Sequence, residues 1–264
     1  MTLQPTTSIN QPGHQPENGI PVKTQRSAWH GDPFPPLNSG DQLTRAEFER
    51  RYNARPDIKK AELIEGVVYM ASPAHFKAHD KPDFRLTTWL GVYESSTPGT
   101  QGGSNGTVRL GSQDEPQPDV FLFIDPEYGG QVYLSEDDYV ENAPELIVEI
   151  AASSSSRDLG PKKRAYAQNG VREYIVWRTL ENAIDWFILR NGVYVPLAQD
   201  ASGIIRSETF PGLWLNVPAT LLRDSSANLA TLREGLESPE HAAFVAELAA
   251  KRAARIAESS EAQS

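Results

Sequence analysis

Two carboxylates in this chain sit where burial would make them costly. Asp119 opens the apolar run Pro118–Ile124, and Glu149 lies inside the run Pro144–Ala152, between Val148 and Ile150. Both runs are short, rich in branched or aromatic residues and bounded by proline or turn residues, the pattern of buried strands. A charge inside such a strand is expensive to desolvate unless something pairs with it. On neighbouring strands the two carboxylates would converge, and a divalent cation is a natural partner for both. The competing reading is a hydrogen-bonded structural role. A cation follows in Lys162, the first of Lys162-Lys163-Arg164 near the start of a helix predicted from Asp158. Asp158 would be its N-cap and Pro161 would fall in its first turn. Basic residues there oppose the macrodipole, a local cost that points to a task other than helix stability; the rival is a solvated helix lysine.

Other elements must position these groups. A strand over Arg172–Trp177 follows the helix. Upstream, Thr44 and Glu47 form a capping box, with Leu43 and Phe48 as its staple, for a short helix ending before Pro56. Ala61–Met70 reads as a hairpin turning at Glu65-Gly66. On pattern alone its Glu62 is a solvent-facing strand residue. Residues 75–95 hold a helix with a buried stripe of Leu86, Trp89, Leu90 and Tyr93, which starts or bends at Pro82. Its His75 and His79 share a face at a spacing that zinc can use, but no glutamate follows the first histidine as in the metalloprotease motif, so a capping or hydrogen-bonded histidine is the better reading. Gly102–Gly106 lacks the phosphate-loop ending and is predicted to be a turn. Asn191-Gly192 joins two apolar runs, the signal of a second hairpin. An extended segment near Phe210–Leu215 and a short helix near Ala219–Leu222 complete the core.

Composition bounds the rest. The 264 residues carry a net charge of -10, and the segment 39–222 alone holds 18 basic against 26 acidic side chains. An acidic chain needs its basic residues gathered locally if it is to bind polynucleotide. Without cysteine there is no disulfide framework or thiolate metal site, which suits a reducing cytoplasm. No signal-peptide core and no membrane-length apolar run are present. The domain reading is a polar, disordered tail over 1–38, a core over 39–222 and a helical tail over 223–264 whose apolar face is thin.

Pro118-Asp119, then Glu149, then Asp158-x3-Lys162-x3-Tyr166-x3-Gly170-Val171-x-Glu173-Tyr174 resembles the Uma-type restriction endonucleases of the PD-(D/E)XK nuclease superfamily. Glu62-Leu63-Ile64-Glu65-Gly66 and His79 match that family's first hairpin and first core helix, so the likeness spans roughly 43 to 222. One departure concerns the superfamily lysine, two residues after the strand glutamate, where this chain has Ala151; the family's helix lysine maps onto Lys162. The resemblance implies an α/β fold, a restriction-endonuclease-like mixed central sheet flanked by helices with an added antiparallel hairpin. It implies Mg²⁺- or Mn²⁺-dependent hydrolysis of DNA phosphodiesters. Asp119 and Glu149 would bind the metal with Glu62 as third carboxylate, Lys162 would act on water or transition state, and His79 and Tyr166 would neighbour the site. By superfamily analogy a homodimer would cut two strands. The alternative function is a nuclease-like fold used only to bind nucleic acid or protein.

Overall fold

A computed structural model describes residues 34–70 and 75–261. The chain divides into Met1–Pro35 and Pro36–Ser264, and among the described residues the elements of secondary structure belong to the second unit. Most of the tail expected over 1–38 lies outside the described residues. The chain order is α1 (Arg45–Asn53), the hairpin β1 (Ala61–Ile64) and β2 (Val67–Met70), a π-turn over Phe76–Asp80, and α2 (Lys81–Ser96). Next come β3 (Thr100–Ser104), β4 (Val108–Arg109), β5 (Val120–Ile124), β6 (Tyr133–Leu134), β7 (Val140–Glu141) and β8 (Leu146–Ala151). A crossover of α3 (Ser155–Arg157), a second π-turn (Asp158–Lys162) and α4 (Lys163–Gln168) leads to β9 (Glu173–Arg178). The chain continues through β10 (Ala183–Arg190), β11 (Val193–Pro196), β12 (Ile204–Arg206), β13 (Trp214–Asn216), α5 (Val217–Leu221), α6 (Ser225–Leu236) and α7 (Pro239–Glu261).

The central sheet has six strands in the order β11-β10-β9-β8-β5-β3. Among its described neighbouring strands, β8 and β9 alone pair in parallel. A parallel pair cannot be joined by a tight turn, so the α3–α4 crossover must pass over the sheet. Alternation along β8 sorts its side chains. Leu146, Val148 and Ile150 join the larger core with Leu86, Trp89 and Tyr93 of α2. Ile147 and Ala151 join a second cluster with Tyr166 of α4 and Tyr174 of β9. Glu149 lies between these two, so strand geometry directs it to the α4 side. The hairpin β1–β2 stands apart from the central sheet and packs Leu63 and Val68 with Phe48 of α1 in a core of its own.

The mixed sheet, flanking helices and added hairpin match the expected fold. Thr44 caps α1 by accepting from the Glu47 N–H at 3.4 Å, while the Glu47 carboxylate turns to Arg50 and Arg51 instead of back to Thr44. The glycine-rich stretch differs from expectation. Gly102 and Gly103 are not a turn; they lie in β3 and pair with Leu122 and Phe121. A Cβ at Gly103 would collide with the Phe121 ring, so glycine there serves close packing. The segment 223–264 is helical over most of its length, and Leu232, Phe244 and Leu248 join the larger core.

Candidate active site

β5 begins where β8 ends. One step beyond the Val120–Val148 pair, the antiparallel register sets Asp119 opposite Glu149. Residues directly opposite share a face, and both carboxylates line one cleft of about 520 Å³. Glu62 reaches that cleft from β1, His79 from the π-turn before α2, and Lys162 from the crossover.

Lys162 is 1% exposed. Its Nζ lies 2.7 Å from Glu62 Oε1 and 2.8 Å from Glu149 Oε1. The Tyr166 hydroxyl, one turn later, donates to the same Glu149 oxygen at 2.7 Å. The Gln117 N–H donates to Glu62 Oε1 at 2.9 Å, and the Ile150 N–H donates to Asp119 Oδ2 at 2.7 Å. His79 Nε2 stands 3.4 Å from Asp119 Oδ2, and Lys60 Nζ stands 3.6 Å from Asp119 Oδ1. Asp119, Glu149, Lys162, Glu62, His79 and Tyr166 therefore meet at one place. Glu62 is not the solvent-facing residue that its pattern suggests: all four residues of β1 are buried.

The crossover explains how Lys162 gets there. The helix expected from Asp158 is broken at Gly160 (φ -108°, ψ -105°), with Pro161 next, and Lys162 becomes the N-cap of α4. Asp158 is correspondingly not an N-cap. It is buried, its carboxylate accepts from Ser154 Oγ, and its carbonyl accepts from the Tyr174 hydroxyl at 3.0 Å. The charge at the start of α4 is thus balanced by buried carboxylates, which offset the unfavourable macrodipole.

The charges divide unevenly. Burial, with Asp119, Asp158 and Glu62 nearby, pushes Glu149 up to about 8 despite Lys162. Burial would raise Glu62 too, but Lys162 and Arg157 outweigh it and hold its carboxyl below the ordinary value. Asp119 is likewise lowered, because His79 and Lys60 outweigh its burial. His79 is raised by the Asp119 carboxylate beside it. Lys162 stays protonated: burial would lower it, but Glu149, Glu62 and Asp158 raise it.

Among the described residues, no three His, Asp or Glu groups are arranged to hold a metal ion by themselves. An ammonium stands between two of the carboxylates instead. The donor chemistry nevertheless fits a hard divalent cation, since Asp119, Glu149 and Glu62 offer carboxylate oxygens. The crowding that raises Glu149 is what added positive charge would relieve. His75 is exposed on the cleft rim, and with His79 it gathers no third zinc ligand among the described residues.

Sequence reasoning missed Lys60 and Arg157. Lys60 sits two residues before Glu62, so strand alternation alone could have placed it on the same side. Arg157 had no such signal, because its position depends on the broken crossover.

Among curated proteins none matches this chain. In fold it is similar to the crystal structure of a putative nuclease belonging to DUF820 from Anabaena variabilis, at 12% identity and a TM-score of 0.51. That likeness covers 66% of this chain and 96% of the other. The model of the Uma2 family, described as "Putative restriction endonuclease", matches residues 45–218, the span that carries every site residue above. The chain belongs to the Uma2 family of restriction-endonuclease-like proteins.

Proposed function

We propose that the protein is a metal-dependent endonuclease that hydrolyses DNA phosphodiesters in the cleft around Asp119 and Glu149. The observation that supports this best is the buried Lys162 ammonium shared by Glu62 and Glu149, with Asp119 across the strand pair. A structural core gains little from burying four such groups, because apolar residues of the same volume serve stability as well or better. Asp119 and Glu149 would hold Mg²⁺ or Mn²⁺, with Glu62 as the third carboxylate. The bound ion would lower the pKa of water and offset phosphate charge. Tyr166 fixes the rotamer of Glu149, and the Ile150 N–H fixes that of Asp119. Lys162, released from one glutamate, would face the negative charge that develops on the phosphoryl oxygens. A homodimer would place two such clefts on two strands.

A second reading is a binding module on the same fold. It is favoured by the ammonium between the carboxylates and by Ala151 at the position where the superfamily keeps its lysine. Nicking of supercoiled plasmid at low salt, with and without Mg²⁺ or Mn²⁺, separates the two. The nuclease reading expects metal-dependent nicking that is abolished in Asp119→Ala and Glu149→Ala. Equal activity in wild type and both folded variants would overturn it.

A further inference from the structure

The cleft is lined by three lysine or arginine side chains among the described residues, and they are not equally engaged. Lys162 is committed to two glutamates at hydrogen-bond distance. Lys60 donates to Asn105 Oδ1 at 3.3 Å and lies 3.6 Å from Asp119. Arg157 differs. Its buried Nε has no partner within hydrogen-bond length among the described residues and makes only a loose contact with Asp158. The nearest carboxylate oxygens are Asp158 Oδ1 at 3.6 Å and Glu62 Oε2 at 3.8 Å, both beyond hydrogen-bond length. Asp158 Oδ1 is itself a buried oxygen without a hydrogen bond. Ser154 satisfies the other Asp158 oxygen and so leaves Arg157 facing an under-used one. The guanidinium is held loosely over the Tyr69 ring at 5.5 Å, with 28% of its side chain exposed.

A half-buried guanidinium with unfilled donors is an unfinished recognition site. Its planar fork suits a group that offers two oxygens in one plane, and phosphate does so. The negative charge already nearby, on Glu62 and Asp158, holds the cation in place without using its hydrogen bonds. We propose that Arg157 is the phosphate-holding residue of this cleft, taking two non-bridging oxygens of a polynucleotide phosphate next to the carboxylates. This rests on the polynucleotide-processing reading of the site. It also accounts for how an acidic chain engages a polyanion: one cation, pre-positioned and incompletely bonded, does locally what net charge does not.

The test is binding of a fluorescein-labelled random-sequence DNA duplex in EDTA, where no metal-dependent cleavage competes, across a salt series. Single-stranded DNA and RNA of the same sequence form two further arms. Arg157→Gln is expected to weaken binding about tenfold and to reduce the slope of log affinity against log salt by about 1 on at least one nucleic acid. Arg157→Lys is expected to restore the slope but not the full affinity, since the charge returns without the fork. Arg190→Gln, at an exposed residue paired with Glu208, should bind as wild type does. Circular dichroism and thermal unfolding establish that each variant is folded. Unchanged affinity and slope in folded Arg157→Gln would overturn the assignment; if the wild type still nicks plasmid with metal, the nuclease reading stands without it. A wild type that binds no nucleic acid at low salt would overturn the assignment, and the nuclease reading falls with it only if the wild type also fails to nick plasmid with metal.

Discussion

Replacing Lys162 by methionine keeps the volume of the side chain and removes its charge. Glu62 and Glu149, each 3% exposed, would then face one another across the vacated position. Their Oε1 atoms both touch the same Nζ, at 2.7 and 2.8 Å. They therefore lie at most about 5.5 Å apart, and at an effective dielectric of about 20 two unit charges at that distance repel by roughly 3 kcal/mol. This agrees with the roughly 3–5 kcal/mol lost when one partner of a buried ion pair is deleted. Glu149, already pushed up to about 8, takes up a proton below that pH and relieves the repulsion, so the full loss is expressed only above it. Lys162→Met should therefore lose about 3 kcal/mol at about pH 9, where both glutamates are ionised, or roughly 6–12 °C in Tm for a domain of this size, and less at pH 7. Lys59→Met, at an exposed lysine nearby in sequence, should stay within about 0.5 kcal/mol. Urea unfolding with and without Mn²⁺ is the assay. If the carboxylates accept the ion once the ammonium is gone, Mn²⁺ at about 100 times its Kd should return about 2.7 kcal/mol to the variant. A loss below about 1 kcal/mol in a natively folded variant would refute the premise that the ammonium holds these carboxylates in the fold.

Other perturbations read different parts of the molecule. Tyr166→Phe removes the hydroxyl bonded to Glu149 and should cost about 1–2 kcal/mol in urea unfolding. Leu248→Ala, fully buried in the larger core, should cost about 2–5 kcal/mol, and a chain ending at Leu222 should aggregate in sedimentation assays because Leu232, Phe244 and Leu248 leave that core. Burial, reinforced by Glu49, pushes Glu115 up to about 8, above its ordinary 4.5. A raised acid contributes stability that is full below the unfolded value and is lost as pH climbs through the folded one. Wild-type stability should thus fall by about 1–3 kcal/mol between about pH 5 and pH 8.5, and Glu115→Gln should remove most of that share of the slope in urea unfolding measured at both ends.

The sequence by itself determined which residues to suspect. Asp119 and Glu149 stood out because a strand pattern and a charge conflict locally, and local conflict is visible without a fold. The hairpins at Glu65-Gly66 and Asn191-Gly192 were legible for a similar reason: both pairs take positive φ, which few residue types tolerate. The helical stripe of Leu86, Trp89, Leu90 and Tyr93 was legible because periodicity is local too. Tertiary structure decided the rest. Glu62 came to line the cleft only because its own strand is buried throughout, which depends on what α1 and the segments beside it do. Gly102 and Gly103 became strand because they pair with β5, and at Gly103 the Phe121 ring leaves no room for a Cβ. Lys162 was placed by a break at Gly160 that no periodicity announced, and the same crossover carries Arg157 beside Glu62. The C-terminal helices looked too thinly apolar to judge. Yet Phe244 and Leu248 needed only the one face that the larger core receives. Side-chain type and spacing are fixed along the chain. Burial, partner and charge state arise between segments far apart in it, so they exist only once the chain has folded.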